Sequence, residues 1–248
     1  MAKALITGAS SGIGSEIAKV LSSMGYETVL VARREDRLKE LSEKLPCPSQ
    51  IEIVDLSDIN AVKGIPKKYP DIDILINNAG LGVYGEFTET DFSREENMLD
   101  VNIRALHYLM KEYIPLMEKR GGGKILNVSS SAAFFSGPLL SSYYASKAYV
   151  LRLSRAVREE LRRKKSPVFV SVLCPGPVET EFGKVSGSNL GKGTLSAGYV
   201  AQLAVKELFR NRFSIVPGFS MKCSRFFSKI VPEALSVRIL YNIQKSKK

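Results

Sequence analysis

Seven short apolar runs, most of them rich in β-branched residues, are separated along this chain by longer stretches with helical spacing. The runs fall at residues 3–7, 27–32, 51–54, 72–76, 124–129, 168–173 and 214–216. They are largely solid rather than alternating, as strands must be when helices cover both faces of their sheet. The helical stretches fall at 13–24, 34–45, 58–68, 92–118, 141–165 and 197–209; in the second, Leu38, Leu41 and Leu45 share one face. Pro46-Cys47-Pro48, Gly121–Gly123 and Cys174-Pro-Gly-Pro177 break the pattern between elements. Such alternation predicts an α/β fold, a doubly wound parallel sheet of about seven strands flanked by helices on both faces. No internal repeat and no long linker interrupts it, so residues 1–248 are expected to form a single domain. Ligands of such sheets sit beyond the carboxyl ends of the strands, and the polar residues there carry the functional reading.

The first strand runs into Thr7-Gly-Ala-Ser-Ser-Gly-Ile-Gly14 and then a helix. Gly8, Gly12 and Gly14 lack the Cβ that would hold a pyrophosphate away, and the helix N-terminus offers N–H donors. The spacing is GxxxGxG, not the commoner GxGxxG of dinucleotide sites. Further on, Tyr143 and Lys147 stand four apart, on one face of a helix. A free phenol titrates near pH 10 and is a poor acid or base at neutral pH. A cation at about 4 Å, with an effective dielectric of about 20, favours phenolate by roughly 4 kcal/mol, at most about three pKa units. Tyr144 competes with Tyr143, but it is not four before Lys147. Ser130 precedes Tyr143 across a strand-to-helix loop, where its hydroxyl can hold a substrate oxygen.

These segments together resemble the short-chain dehydrogenase/reductase family. Thr7–Gly14 matches its cofactor loop, Asn77-Asn-Ala-Gly80 follows the fourth strand, and Asn102 lies in the next helix. Ser130 follows the fifth strand, Tyr143-Tyr-Ala-Ser-Lys147 gives YxxxK, and Pro175-Gly-Pro-Val-Glu-Thr180 follows the sixth. The resemblance spans about residues 3–216; Ala133 stands where the family commonly has glycine. It implies a Rossmann-type dinucleotide-binding catalytic domain with Asn102, Ser130, Tyr143 and Lys147 as catalytic set. Tyr143 would be the acid/base, Lys147 would lower its pKa and hold the nicotinamide ribose, and Asn102 would disturb its helix and hold a water in the proton relay. Gly8, Ser10, Ser11, Gly12, Ile13 and Gly14 would cradle the cofactor. Asp55 would touch adenine with Leu56 beside it, and Asn77, Asn78, Ala79 and Gly80 would wall the adenosine side. Pro175, Gly176, Val178 and Thr180 would hold the nicotinamide end. At the end of the second strand, where the family selects NAD with an acidic residue, stand Arg33 and Arg34. A guanidinium forks onto a 2′-phosphate that a carboxylate repels. One charge-assisted contact of about 1.5–3 kcal/mol is a preference of roughly tenfold to a hundredfold, so NADP(H) is the expected cofactor. The implied activity is hydride transfer between nicotinamide and a carbonyl or secondary alcohol, of carbonyl reductase or alcohol dehydrogenase type. The implied assembly is a homodimer or homotetramer through the two long helices. The alternatives are a cofactor-binding regulator without turnover, against which the complete set Asn102, Ser130, Tyr143 and Lys147 argues, and a basic membrane-surface interaction protein built on the same scaffold.

Phe134, Phe135, Leu139, Leu140 and Phe182 make either an apolar wall for a hydrophobic ketone, sterol or acyl substrate or ordinary core. Residues 181–196 stand where the family keeps its substrate lid, and Gly183, Gly187, Gly191 and Gly193 suggest mobility. The tail, 219–248, is basic and apolar: seven Lys and Arg against Glu233 alone, in a chain of net charge +11. Leu235, Ile239 and Ile243 fall four apart there, after Pro232 as the expected first helical residue. An amphipathic basic stretch packs on its own domain, on a dimer mate, or on an anionic membrane surface. No nucleic-acid module is recognisable. His107 alone cannot build a multi-histidine metal site, and Cys47, Cys174 and Cys223 make neither a zinc knuckle nor a disulfide framework. No apolar run is long enough to span a bilayer, and a cytoplasmic protein, with peripheral membrane contact an option for its tail, is the expectation.

Overall fold

A computed structural model describes residues 1–187 and 194–246. In chain order they form β1 (Lys3–Thr7), α1 (Gly12–Ser23), β2 (Glu27–Ala32), α2 (Glu35–Glu43), β3 (Ser49–Ile53), α3 (Ile59–Lys68), β4 (Ile74–Asn77) and α4 (Phe92–Leu99). After a π-helical stretch (Asp100–Ala105) come α5 (Leu106–Lys119), β5 (Gly123–Val128), a 3-10 turn (Ser131–Phe134), α6 (Ser141–Arg163) and β6 (Val168–Leu173). The remainder is β7 (Val178–Glu179), α7 (Phe182–Ser186), β8 (Leu195–Ser196), α8 (Ala197–Phe209), β9 (Ser214–Ile215), α9 (Phe219–Phe227) and α10 (Glu233–Lys245).

Seven strands pair in parallel in the order β3-β2-β1-β4-β5-β6-β9, and β7 pairs with β8 apart from them. Strand order grows outward from β1 in one direction to β3 and from β4 in the other to β9. The two strands at this switch lie side by side, in register Leu5 to Leu75, and the crevice beyond their carboxyl ends is where such sheets hold ligands.

Both faces of the sheet are dry. Ile6, Leu30, Ile76 and Leu126 point to one side and pack with Ile17, Leu21, Val200, Ala204 and Leu208 of α1 and α8. Their strand neighbours Leu5, Val29, Leu75 and Ile125 point to the other and pack with Val62, Leu109, Tyr113 and Val150 of α3, α5 and α6. A strand alternates its side chains between faces, so only a solid apolar run satisfies both layers. Burying each such side chain stabilises by about 1.5–3 kcal/mol.

Three local readings are corrected. The helix expected over 92–118 is divided by the π-helical stretch, and Asn102 sits inside it. There Asn102 Oδ1 accepts from the Leu81 N–H at 2.9 Å while its Nδ2 donates to the Leu81 carbonyl at 3.0 Å. This tether to a loop, which fits the widened turn, has no trace in helical periodicity. The stretch after Pro177, unpatterned in sequence, forms β7, α7 and β8; Gly191 and Gly193 of the expected lid, and Lys247 and Lys248 of the tail, lie outside the described residues. Pro232 precedes α10 as its cap rather than opening it. Among the described residues no helix is long and apolar enough to cross a membrane.

Candidate active site

The chain leaves β1 through a loop that the following elements clamp. Gly8 has φ +66°, and a Cβ there would lie 2.8 Å from Ala79 Cα. Gly12 has φ +59° and would meet Thr180 Cγ2 at 2.8 Å. Asn78 Nδ2 donates to the Thr7 and Gly8 carbonyls at 3.0 and 3.2 Å, and Thr7 Oγ1 accepts from the backbone N–H groups of Asn78 and Ala79 at 3.0 and 3.2 Å. The Ser11 side chain does not cap α1, and no acidic residue occupies the first turn. The N–H groups and positive dipole end of the helix are therefore free to face an anion.

Arg33 and Arg34 follow β2 directly. Arg33 Nη1 lies 3.3 Å from Asp55 Oδ2, with both side chains open to solvent. Arg34 turns onto the glycine loop: Nη2 donates to Ser10 Oγ at 3.0 Å and Ser11 Oγ at 2.8 Å, and Nη1 meets Glu181 Oε2 at 2.7 Å. Arg37 Nη1 reaches Glu181 Oε1 at 2.6 Å. Hydrogen bonds from both arginines hold the Glu181 carboxyl down at about 2. Burial raises the Asp55 carboxyl, but the two bonds from Ser57 and the Arg33 charge bring it below its usual value.

Ser130, Tyr143 and Lys147 come from the end of β5 and the first turns of α6. Ser130 Oγ accepts from the Ala132 N–H at 3.1 Å and so caps the 3-10 turn. Ser129 Oγ donates to the Lys147 carbonyl at 2.7 Å, and Lys147 Nζ donates to the Val128 carbonyl at 3.0 Å, which ties α6 to β5. Lys147 is 4% exposed. Its Nζ lies 5.9 Å from the Tyr143 ring centroid. A Cβ on Gly80 would stand 3.0 Å from Lys147 Nζ and 3.3 Å from Asn102 Oδ1, so the last residue of Asn-Asn-Ala-Gly makes room for both. Asn102 Nδ2 also donates to Ser146 Oγ at 3.0 Å. The Tyr143 ring packs at 5.2 Å from that of Phe182 in α7.

The electrostatics differ from the sequence reading. Lys147 was expected to draw the Tyr143 phenol down. Instead burial pushes it up to about 12, with the Ser130 hydrogen bond pulling the other way. Desolvation draws Lys147 down to about 8. The phenol holds its proton at neutral pH, and the ammonium keeps most of its charge.

One cavity of about 570 Å³ gathers these groups. It is lined by Ser130, Tyr143 and Lys147, by Gly8, Ser10, Ser11, Gly12 and Ile13, and by Arg33, Arg34, Asp55 and Leu56. Asn78, Ala79 and Gly80 line it from beyond β4, and Pro175, Gly176, Val178 and Thr180 from beyond β6. Asn102 and Gly14 stand behind this lining: Asn102 beside Gly80, and Gly14 where a Cβ would strike Asn78 Nδ2 at 2.4 Å. Asn77, read as part of the adenosine wall, turns into the sheet instead, where its Nδ2 donates to Asn127 Oδ1 at 2.9 Å. Of the apolar wall, Phe135, Leu140 and Phe182 line the cavity. Phe134 packs outside it with Val216 and Met221, and Leu139 is held in the left-handed region at φ +64°.

The tail supplies a wall that sequence reasoning missed. Met221 and Ser224 of α9 and Leu240, Ile243 and Gln244 of α10 line the cavity. Gln244 Nε2 donates to Tyr144 Oη at 2.6 Å, and Tyr84 Oη donates to the Gln244 carbonyl at 2.9 Å. Gly176 and Gly137 admit Met221 and Tyr144, whose atoms a Cβ would strike at 2.7 and 2.4 Å. The amphipathic spacing of the tail announced a packed helix but not which surface it packs on. His107, which alone could not build a metal site, pairs its Nδ1 with Tyr149 Oη at 2.6 Å on the protein surface.

A family model described as short chain dehydrogenase matches residues 2–190. An uncharacterised oxidoreductase of Staphylococcus epidermidis is 32% identical over 210 residues, 83% of this chain and 90% of that protein. A short-chain dehydrogenase from Sphingobium yanoikuyae, solved in complex with NADPH, superposes with a TM-score of 0.83 at 26% identity, covering 94% of this chain and 97% of its own. A short-chain dehydrogenase/reductase from Burkholderia phymatum, solved with NAD, shares the fold at a TM-score of 0.84 and 24% identity, covering 90% of this chain and 91% of its own.

Proposed function

The chain belongs to the short-chain dehydrogenase/reductase family, and from that premise we propose that it is an NADP(H)-dependent oxidoreductase acting on the carbonyl or secondary alcohol of an apolar substrate. The observation that carries the reading is the convergence of Ser130, Tyr143 and Lys147 on one cavity with the glycine loop and the uncapped end of α1. The residues suit a dinucleotide: the loop Gly8–Ile13 lines the cavity, held tight against Ala79 and Thr180 where a Cβ would collide, and the uncapped end of α1 opens there. Gly8, Ser10, Ser11, Gly12 and Ile13 would hold the pyrophosphate side, with Gly14 packed behind the loop. Asp55, Leu56, Asn78, Ala79 and Gly80 would take the adenosine, and Pro175, Gly176, Val178 and Thr180 the nicotinamide end. When bound, that group supplies or accepts the hydride.

The chain's own residues handle the proton. Tyr143, protonated at neutral pH, donates to the substrate oxygen in the reductive direction. Ser130, on the same cavity wall as that phenol, positions the same oxygen. Lys147 brings a positive charge to the site and holds the ribose, while Asn102 completes the relay behind Gly80. Such general acid catalysis contributes typically 10²–10⁴-fold.

The solved relatives hold either nicotinamide cofactor, so the choice of NADP rests on this chain's Arg33 and Arg34. Arg33 is the freer of the two, held only by one exposed contact with Asp55. Such a contact is worth about 0–1 kcal/mol, less than a guanidinium gains on a 2′-phosphate. Phe135, Leu140, Phe182, Met221 and Leu240 favour a hydrophobic ketone, sterol or acyl substrate. Assembly as a homodimer or homotetramer through α5 and α6, in the cytoplasm, completes the reading.

The test is titration of the purified protein with NADPH and NADH by fluorescence, followed by a panel of hydrophobic ketones with NADPH absorbance as the readout. Tighter NADPH binding and oxidation by a ketone are expected. Tyr143→Phe should keep cofactor binding and lose turnover; a variant that still turns over removes Tyr143 from the role given to it.

A further inference from the structure

The tail helices have two sides. Met221, Ser224, Leu240 and Gln244 face the cavity, and Gln244 is the only buried residue of α9 and α10. The opposite side is apolar and uncovered. Half of the large apolar side chains exposed among the described residues lie between 219 and 243. Phe219 is 81% exposed, Phe226 and Phe227 stack edge to face with centroids 5.9 Å apart, and Ile230 follows in the turn. Along α10 the exposed Leu235 and Ile239 form one stripe with Ile243, which reaches the cavity rim.

Cations frame this apolar surface. Lys222, Lys229, Arg238 and Lys245 are exposed. None of the ion pairs among the described residues uses them, whereas α1, α2, α6 and α8 each carry paired Glu and Lys or Arg. The one acid of the segment, Glu233, accepts from Ser136 Oγ at 2.6 Å. Apolar side chains interleaved with unpaired cations, with a single carboxylate among them, match the interface of an anionic bilayer, where the aromatic rings enter the acyl boundary and the cations meet headgroups. A second copy of this chain fits poorly. A symmetric contact through this face would set the same unpaired cations against each other.

We propose that α9 and α10 form a docking face for anionic lipid membranes, with the cavity on the inner side of the same two helices. The proposal goes beyond the enzymatic reading and stands without it, because binding to vesicles requires no turnover.

The experiment is co-sedimentation of the full chain with vesicles of phosphatidylcholine and phosphatidylglycerol in equal parts, and with phosphatidylcholine alone. Binding to the mixed vesicles is expected, about tenfold or more tighter than to the neutral ones and weakened by high salt. Two variants separate the contributions: Phe226→Ser with Phe227→Ser, and Lys222→Glu with Lys229→Glu. Each is expected to weaken binding about tenfold or more, with the circular dichroism spectrum and NADPH titration unchanged. No sedimentation with the mixed vesicles overturns the proposal, as does undiminished binding by both folded variants. Loss of a dimer in the same variants, by sedimentation equilibrium without vesicles, overturns it in favour of a second copy.

Discussion

Lys147 carries its charge in a setting that resists it, and this makes the site costly to the fold. The ordinary lysine pKa near 10.5 falls to about 8 in the folded protein. Below about pH 8 both folded and unfolded chains hold the proton, so the whole desolvation penalty, up to about 3 kcal/mol, is present at neutral pH. Between about 8 and 10.5 the unfolded chain binds the proton and the folded one has released it, so this residue's penalty fades as pH rises through that window. Lys147→Met removes the buried charge together with the bond to the Val128 carbonyl, worth about 1 kcal/mol. The variant is expected to lose turnover yet be more stable by about 2 kcal/mol at pH 7, with the gap narrowing by pH 10; urea denaturation at the two pH values measures it. Arg33 tests the cofactor end at the same scale. Arg33→Asp adds a second carboxylate beside Asp55 and removes the exposed guanidinium. The Kd for NADPH is expected to rise tenfold to a hundredfold by fluorescence titration, with NADH affected much less. Both residues stood out in the sequence because charge and spacing are local properties. The direction in which Tyr143 titrates was not legible, because desolvation belongs to the packed environment and no spacing rule reports it.

Elements were legible where one period governed them. The solid apolar runs gave the sheet strands, and α8 begins and ends where its repeat does. The π-helical stretch was invisible to periodicity, because one widened turn at Asn102 leaves the flanking apolar spacing nearly intact; only the resemblance implied a disturbed helix there. The docking of α10 was invisible for another reason: its anchors, Tyr84 and Tyr144, lie far away in sequence. That docking has an asymmetry that can be measured. Gln244 is 2% exposed and its Oε1 has no partner, so its amide depends on the single bond to Tyr144 Oη. Tyr144 lines the same cavity but is only half-buried, so water can replace its lost partner there. Tyr144→Phe leaves the whole amide buried without a bond and is expected to weaken α10 docking by about 1–3 kcal/mol. Gln244→Leu removes the orphaned oxygen along with the bond and should cost less than about 1 kcal/mol. Hydrogen exchange of the α10 amides reads both, since exchange reports local opening that global unfolding does not. Equal protection loss in the two variants would mean that the amide is not what holds the helix.

At the scale of the whole molecule, the residues that make the fold and those that close the cavity are separable. The two large clusters that sandwich the sheet contain no residue beyond Ile215, and only Met221 of the tail packs against the third, smaller one. The side of the cavity proposed for the cofactor is built from the ends of the parallel strands, so it follows from the same alternation that specified the sheet. The side proposed for the substrate borrows its wall from a segment outside that alternation, and for this reason the sequence pointed to the cofactor more firmly than to the substrate. A chain ending at Gly218 should therefore keep its sheet and its nucleotide affinity, with the Kd for NADPH within about threefold of the full chain. It loses the contacts of Met221, Leu240 and Ile243 with an apolar ligand. Giving up the burial of even one such side chain's worth of surface, about 1.5–3 kcal/mol, predicts a rise in KM for hydrophobic ketones of roughly tenfold or more. Steady-state kinetics on a ladder of ketones of increasing length checks this, since the penalty should grow with the apolar surface that the missing helices no longer cover. A truncated chain with unchanged KM along the ladder would show that the tail closes the cavity without touching what binds there.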